Sequence, residues 1–305
     1  MSYAGYNPST DIGDLSSKVI LITGGTNGIG KMAVLEFAQH NPGHIYFTGR
    51  NEAAAQDIIS QCSGANVSFI PCDLTDLASV QAAADSFTSP RLDIFIANAG
   101  IMAGPPGLTK DGYEVQFGIN HIGNTALLMR LLPVMEKTTD LPGADVRFVS
   151  LTSLGYKMHP STGIEFNTLK STQEHMLLGA YSRYGQSKLA NVLTAREVRR
   201  RYPKIASVAI HPGVVKTELV TKLGFVQKAM VYVTNPGGLM SPRQGCYNTL
   251  WAATSDEMRK KMEKGNIAVF EPVGKATCGT AKCWDNELAQ KLWDWTEKEV
   301  GITSR

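Results

Sequence analysis

The chain predicts an α/β fold: a parallel sheet of about seven strands, doubly wound, with helices on both faces. Three observations predict it. Short apolar runs alternate with helical patterns along most of the sequence. A glycine-rich turn, Gly24 to Gly30, follows the first of those runs and opens a helix. Small, polar or charged residues recur just after each apolar run, where a doubly wound sheet opens its ligand crevice.

Val19 to Ile22 is too short for a helix and reads as the first strand. Ile29, Met32, Ala33, Leu35, Phe37 and Ala38 then recur at helical spacing. Between them stand Gly24, Thr26, Asn27, Gly28 and Gly30. Glycines there let the backbone approach a pyrophosphate at a helix N-terminus, where a Cβ would stand in the way. A bare strand-to-helix turn would carry the same glycines, so the turn alone does not decide for a nucleotide.

His44 to Thr48 reads as the second strand, with Arg50 after it and a helix over 52–61. Val67 to Pro71 is the third, followed by Asp73, Leu74 and a helix over 77–87. Asp93 to Ala97 is the fourth, ending in Asn98, Ala99 and Gly100, and a long helical region runs over 112–136. The fifth strand covers 145–151, with Ser153 just beyond it. Tyr181 to Arg201 is the next strong helix, and Ser207 to Ile210 is a strand that ends at His211, Pro212 and Gly213. A helix over 243–253, a seventh strand over 267–270 and a helix over 287–299 complete the pattern. A closed (β/α)8 barrel would show the same alternation, but its phosphate sites follow the last strands, whereas a doubly wound sheet carries the pyrophosphate turn after strand one. No repeat or linker marks a second unit, so one nucleotide-binding domain is expected over 1–305, with a C-terminal extension over 271–305.

Composition excludes several classes. The chain has 305 residues, 43% hydrophobic and 19% charged, as expected of a soluble protein with a sizeable core. The net charge of +3 is scattered, and its densest cluster, Arg199 to Arg201, falls at a helix C-terminus that favours cations. No nucleic-acid partner is implied. Five cysteines without a CxxC pair, and a polar stretch from Met1 to Ser17, point to a reduced, cytoplasmic setting with free thiols. Cys278 and Cys283 lack a nearby His to complete a zinc set, so no metal is expected. No apolar run reaches the ~18 residues of a membrane span.

Arg50 stands where a doubly wound fold meets the adenosine ribose. An acid there would bind the 2′-hydroxyl of NAD(H), while the planar fork of an arginine suits the 2′-phosphate of NADP(H), which is therefore the preferred cofactor. Lys31 and Asn27 could add contacts. Asp73 would accept a hydrogen bond from the adenine, with capping of the next helix as the alternative. Tyr184 and Lys188 lie four apart on a helix, so their side chains point the same way. A cation beside a phenol favours the phenolate and makes the group able to exchange a proton. Such a pair is common on helix surfaces, and only its company gives it meaning.

That company is Thr23-Gly-Gly-Thr-Asn-Gly-Ile-Gly30, Asn98-Ala-Gly100, Asn120, Ser153, Tyr184-x-x-x-Lys188 and Pro212-Gly-Val-Val-Lys-Thr217. In this order and spacing the motifs resemble the short-chain dehydrogenase/reductase family, over nearly the whole chain. Phe117 to Gly123, Tyr184 to Asn191 and Leu288 to Trp293 look most like its retinol-dehydrogenase-like and protochlorophyllide-reductase-like members. The resemblance implies a Rossmann fold. It also implies that Tyr184 is the general acid or base, Ser153 orients the carbonyl oxygen, Lys188 holds the nicotinamide ribose and tunes Tyr184, and Asn120 positions a water. Gly24 to Gly30, Arg50, Asp73, Leu74, Asn98, Ala99, Gly100, Pro212, Gly213, Val215 and Thr217 would line the cofactor. Ser150 and Thr152 are rival serine-type groups on the opposite face of the strand end, and Tyr181 is a rival phenol; the resemblance favours Ser153 and Tyr184.

Ser153 and Tyr184 are 31 positions apart, more than in compact members, so a substrate loop is expected over about 154–180. A second variable region, about 214–241, carries Leu219, Leu223, Val226 and Met230 at helical spacing and reads as a lid, as a packed helix or as peripheral membrane contact. With Met102, Ala103, Leu154, Tyr156 and Phe225 it suggests an apolar carbonyl or alcohol substrate. Retinal-like, steroid, aromatic and specialised-metabolite substrates all fit, as do C=C reduction, cyclisation or epimerisation with bound NADP(H). A cofactor-binding scaffold without turnover is the reading from a different class, and pairing into a homo-oligomer stays open.

Overall fold

The computed structural model describes residues 3–217 and 238–302. A short N-terminal helix α1 (Pro8–Asp11) precedes β1 (Val19–Ile22), α2 (Gly28–Ala38), β2 (His44–Gly49), α3 (Glu52–Gln61), β3 (Val67–Pro71), α4 (Leu77–Asp85) and β4 (Ile94–Ala97). Then come α5 (Val115–Phe117), a π-helical segment Gly118–Gly123, α6 (Asn124–Thr139), β5 (Arg147–Leu151), α7 (Ala180–Arg201) and β6 (Ala206–Ile210). The chain closes with α8 (Pro242–Thr254), α9 (Asp256–Lys264), β7 (Val269–Glu271), β8 (Lys275–Thr277) and α10 (Asn286–Val300).

The sheet order is β3-β2-β1-β4-β5-β6-β7-β8. β1 lies mid-sheet because Ile20, Leu21 and Ile22 are apolar toward both faces and almost wholly buried. On one face α2, α3 and α8 pack Val34, Phe37, Ile58 and Leu250 against Ile20 and Ile22. On the other, α4, α6, α7 and α10 bring Val80, Leu127, Leu189 and Trp293 against Leu21 and Phe95. The order reverses between β1 and β4, and the switch opens a crevice at the carboxyl strand ends.

One expectation is extended and one corrected. The sheet has eight strands, and β8 runs antiparallel to β7, because the chain turns back within Pro272–Gly274 and pairs Phe270 with Ala276. The helix expected over 112–136 is broken: α5 is one turn, and Gly118–Gly123 widens to π geometry before α6. The amide of Asn124 explains the widening, since its Nδ2 donates to the Ile119 and Asn120 carbonyls at 2.9 and 3.3 Å. Arg200 and Arg201 both pair with Glu197, and Arg201 also reaches Asp294 of α10, a structural use of the basic cluster. Among the described residues no helix is long and apolar enough to cross a membrane.

Candidate active site

The glycine turn has the backbone its sequence demands. Gly24 and Gly28 have φ of +65° and +57°, a region that glycine enters at no steric cost. At Gly30 a Cβ would run into the Gly24 carbonyl oxygen and the Asn98 amide. Asn27 caps α2, its Oδ1 accepting from Gly28 N–H at 2.6 Å. Gly49, the last residue of β2, packs so closely on Thr26 that a Cβ would sit 2.7 Å from Thr26 Oγ1, and this sets exposed Arg50 beside the turn. Lys31 is engaged elsewhere, paired with Asp57 at 3.2 Å. Asp73 does not cap α4; Asp76 does, while Asp73 Oδ1 accepts from the backbone and hydroxyl of Thr75 at 3.0 and 2.9 Å. Leu74 lies under Gly123, where a Cβ would meet its carbonyl oxygen at 2.7 Å.

Thr23 organises the neighbouring strand end. Its Oγ1 accepts from the N–H groups of Asn98 and Ala99, both at 3.0 Å, and donates to Asn124 Oδ1 at 2.6 Å. Asn98 Nδ2 returns to the Thr23 and Gly24 carbonyls at 2.8 and 3.2 Å. Asn120, in the π segment, accepts from Ile101 N–H at 2.7 Å and donates to the Ile101 carbonyl at 3.0 Å and Ser187 Oγ at 2.9 Å. Gly100 faces both Asn120 and Lys188: a Cβ there would lie 2.8 Å from Asn120 Oδ1 and 3.2 Å from Lys188 Nζ. These two side chains therefore look onto one spot that only a glycine leaves open.

Tyr184 and Lys188 share the inward face of α7 and are 7% and 5% exposed. Lys188 Nζ donates to the Leu151 carbonyl at 3.0 Å and stands 5.8 Å from the centre of the Tyr184 ring. Burial lowers the Lys188 ammonium to about 8. Burial raises the Tyr184 phenol to about 12, opposed by a hydrogen bond from Ser153. Ser153 also caps the turn after β5, accepting from Gly155 N–H at 3.2 Å. Gly155 is needed because a Cβ would meet the Tyr184 ring at 2.7 Å. Thr152 points away and donates to the Lys188 carbonyl at 2.7 Å, which leaves Ser153 as the hydroxyl at the phenol.

The segment after β6 returns to the glycine turn. Gly213 has φ +93° and packs against Met240, and Val215 bridges to Met240. Thr217 reaches Gly28, with its methyl 3.5 Å from where a Cβ would be. Most of the lid region, including Leu219, Leu223, Phe225, Val226 and Met230, lies outside the described residues. The structure thus brings Gly24 to Gly30, Asn98 to Gly100, Asn120, Ser153, Tyr184, Lys188 and Pro212 to Thr217 to one edge. Sequence reasoning missed Asn124 and Ser187. Asn124 stands four residues after Asn120 on a helix, which was the one available sign.

A doubly wound sheet whose crevice holds a glycine turn and a buried tyrosine–lysine pair defines an oxidoreductase built on a nucleotide-binding frame. Comparison with known proteins agrees. The short chain dehydrogenase family model matches residues 18–154. The short-chain dehydrogenase/reductase drtF of Aspergillus calidoustus is 34% identical over 304 residues, covering 94% of both chains. Human retinol dehydrogenase 13 is 31% identical over 302 residues, 94% of this chain and 86% of that protein. A solved structure of an uncharacterized Mycobacterium paratuberculosis protein superposes with a TM-score of 0.74 at 25% identity, over 97% of this chain and 98% of that one. The chain belongs to the short-chain dehydrogenase/reductase family.

Proposed function

We propose that the protein is an NADP(H)-dependent reductase of an aldehyde or ketone on an apolar small molecule, or the dehydrogenase of the matching alcohol. The observation that carries this reading is the Ser153–Tyr184–Lys188 cluster, with Tyr184 and Lys188 buried and Ser153 half-buried, beside a cradle that a Cβ would fill at Gly30 and Gly100. That cradle fits a nicotinamide dinucleotide, held by the turn Gly24 to Gly30, by Asn98 to Gly100 and by Pro212 to Thr217. Arg50, exposed and without an ion-pair partner among the described residues, would take the 2′-phosphate. The bound nucleotide supplies or accepts the hydride.

The chain's own residues handle the proton. The phenol of Tyr184, neutral at physiological pH, gives its proton to the carbonyl oxygen as negative charge develops there. Ser153 holds that oxygen at the phenol. The Lys188 ammonium stabilises the phenolate that is left, and Asn120 holds its surroundings in place through Ile101 and Ser187. The apolar substrate class draws support from the half-buried Met102 and Ala103, from exposed Leu154, and from the likeness to retinol dehydrogenase 13.

Titration of the purified protein with NADPH and NADH, followed by nucleotide fluorescence, tests the reading without a substrate. NADPH is expected to bind more tightly, and Arg50→Ala to cost it about 1.5–3 kcal/mol, or roughly 10- to 150-fold, the worth of a hydrogen bond to a charged group. NADH is expected to bind the variant and wild type alike. Equal affinity of wild type for both nucleotides would remove the NADP assignment. Binding of neither would favour a scaffold role.

A further inference from the structure

Helix α10 touches three parts of the site's frame that are remote in sequence. Trp295 meets Phe166, Phe117 and Tyr113 edge-on, with ring centres 5.8, 6.1 and 6.1 Å away. Thr296 Oγ1 lies 3.0 Å from Nε2 of buried His121, the residue after Asn120. Glu299 Oε2 accepts from the Tyr113 hydroxyl at 2.6 Å and pairs with Lys170 Nζ at 2.7 Å. Lys170 also stands 5.3 Å from the centre of the Tyr113 ring. Phe166 and Lys170 belong to the loop between Ser153 and Tyr184, while Tyr113 and Phe117 lead into the turn that carries Asn120.

We propose that α10 is a brace for the substrate side of the site, with Glu299 and Trp295 as positioning residues that hold the loop against the Asn120 turn. The loop starts at one site residue and ends at another. Held only at its ends, a stretch of about 30 residues would sample many shapes. The ring cluster and the ion pair clamp its middle from the α10 side, while α7 holds it from the other side through Gln186, which accepts from the Glu165 N–H at 3.3 Å, and the Glu114 N–H to Leu169 carbonyl bond of 2.8 Å sets the register there. The two parts of the clamp differ in kind. The rings bury apolar area and carry the stability. The pair is partly exposed, with Lys170 at 59% and Glu299 at 16%, so it contributes alignment more than stability. Breaking the pair therefore shifts the loop without unfolding the domain. Substrate affinity then depends on a helix that does not touch substrate.

This inference rests on the reductase reading, and the test separates the two. Wild type, Glu299→Lys, Lys170→Glu and the double swap are compared for NADPH binding and for NADPH-dependent reduction of straight-chain aldehydes from hexanal to dodecanal. Each single variant is expected to raise KM about three- to fivefold, the scale of one partly exposed pair, with kcat and NADPH affinity within about twofold of wild type. The double swap restores KM. Wild-type KM in the single variants, or no recovery in the swap, overturns the brace. If wild type reduces no aldehyde, the substrate class proposed above fails, and amide exchange over residues 163–176 decides the brace alone. Faster exchange in the single variants that returns to wild-type rates in the swap supports it; unchanged exchange overturns it.

Discussion

Thr23 Oγ1 donates a 2.6 Å hydrogen bond to Asn124 Oδ1, across a separation of 101 residues. This bond orients both partners. With its proton committed to Asn124, the threonine turns its lone pairs to the N–H groups of Asn98 and Ala99. With its oxygen committed to Thr23, the asparagine turns its NH2 to the carbonyls of Ala99, Ile119 and Asn120. Nucleotide turn, fourth strand and Asn120 turn are fastened at one point.

Asn124→Leu removes the partner of a buried hydroxyl and of the π-segment carbonyls. Each buried polar group left unpaired costs about 1–3 kcal/mol. The urea midpoint is expected to fall accordingly, with an unchanged m-value. A midpoint within error of wild type would show that the junction is not a stabilising one.

Tyr184→Phe keeps the ring that packs on Gly155 and deletes the proton donor. Reduction of a confirmed carbonyl substrate is expected to fall by at least ~100-fold, the lower range for a general acid, with NADPH affinity little changed. Turnover that survives the substitution would move the chemistry to another group.

The pH dependence stems from Lys188, whose ammonium burial lowers to about 8. As pH rises through that value the cation beside Tyr184 is lost and the phenol becomes a poorer acid. Carbonyl reduction is expected to decline above about pH 8, and alcohol oxidation, which needs the phenolate that the cation stabilises, is expected to gain nothing on the same limb. Initial rates in both directions between pH 6 and 10 would check it. A flat profile contradicts the lysine's role.

His121 gives an acid limit to stability. Burial pushes its imidazole down to about 3 from an ordinary 6.5, so the folded chain keeps it neutral while the unfolded chain takes up a proton. The stability this contributes is complete above pH 6.5 and drains away as pH falls toward 3. His211, pushed down to about 4, adds to the same loss. His121→Gln is expected to make the dependence shallower by up to ~1.4 kcal/mol per pH unit, measured by urea titrations between pH 7 and 4.5.

Much of this was legible because its causes are local. The apolar runs at Val19 to Ile22 and Ile94 to Ala97, the Gly24 to Gly30 turn and the Tyr184–Lys188 spacing each express short-range geometry, and the strands and helices stand where those patterns put them. The break at Gly118–Gly123 was not legible. Residues 112–136 carry a continuous helical pattern, and what widens it is a side-chain amide that donates to the Ile119 and Asn120 carbonyls while its oxygen accepts from Thr23, 101 residues away. The reversed eighth strand leaves no signal because Lys275–Thr277 is three residues long and mostly exposed, too short to show alternation. The alternative of Asp73 as a cap fails because Asp73 reaches Thr75, and Asp76, three residues on, caps the helix. The roles of Trp295 and Glu299 depend on contacts with residues more than 120 positions away, which no local pattern records.

The last strand also bears on how copies of the chain meet. A parallel sheet that stops abruptly leaves a row of free N–H and C=O groups on which another chain can add itself. Here the final strand runs against its neighbour, lasts three residues and presents Lys275 to solvent. A second copy approaching that border finds little backbone to zip along and a charge that resists burial, so on this side, opposite the β3 edge, the strand works as a selvedge that discourages strand-to-strand addition.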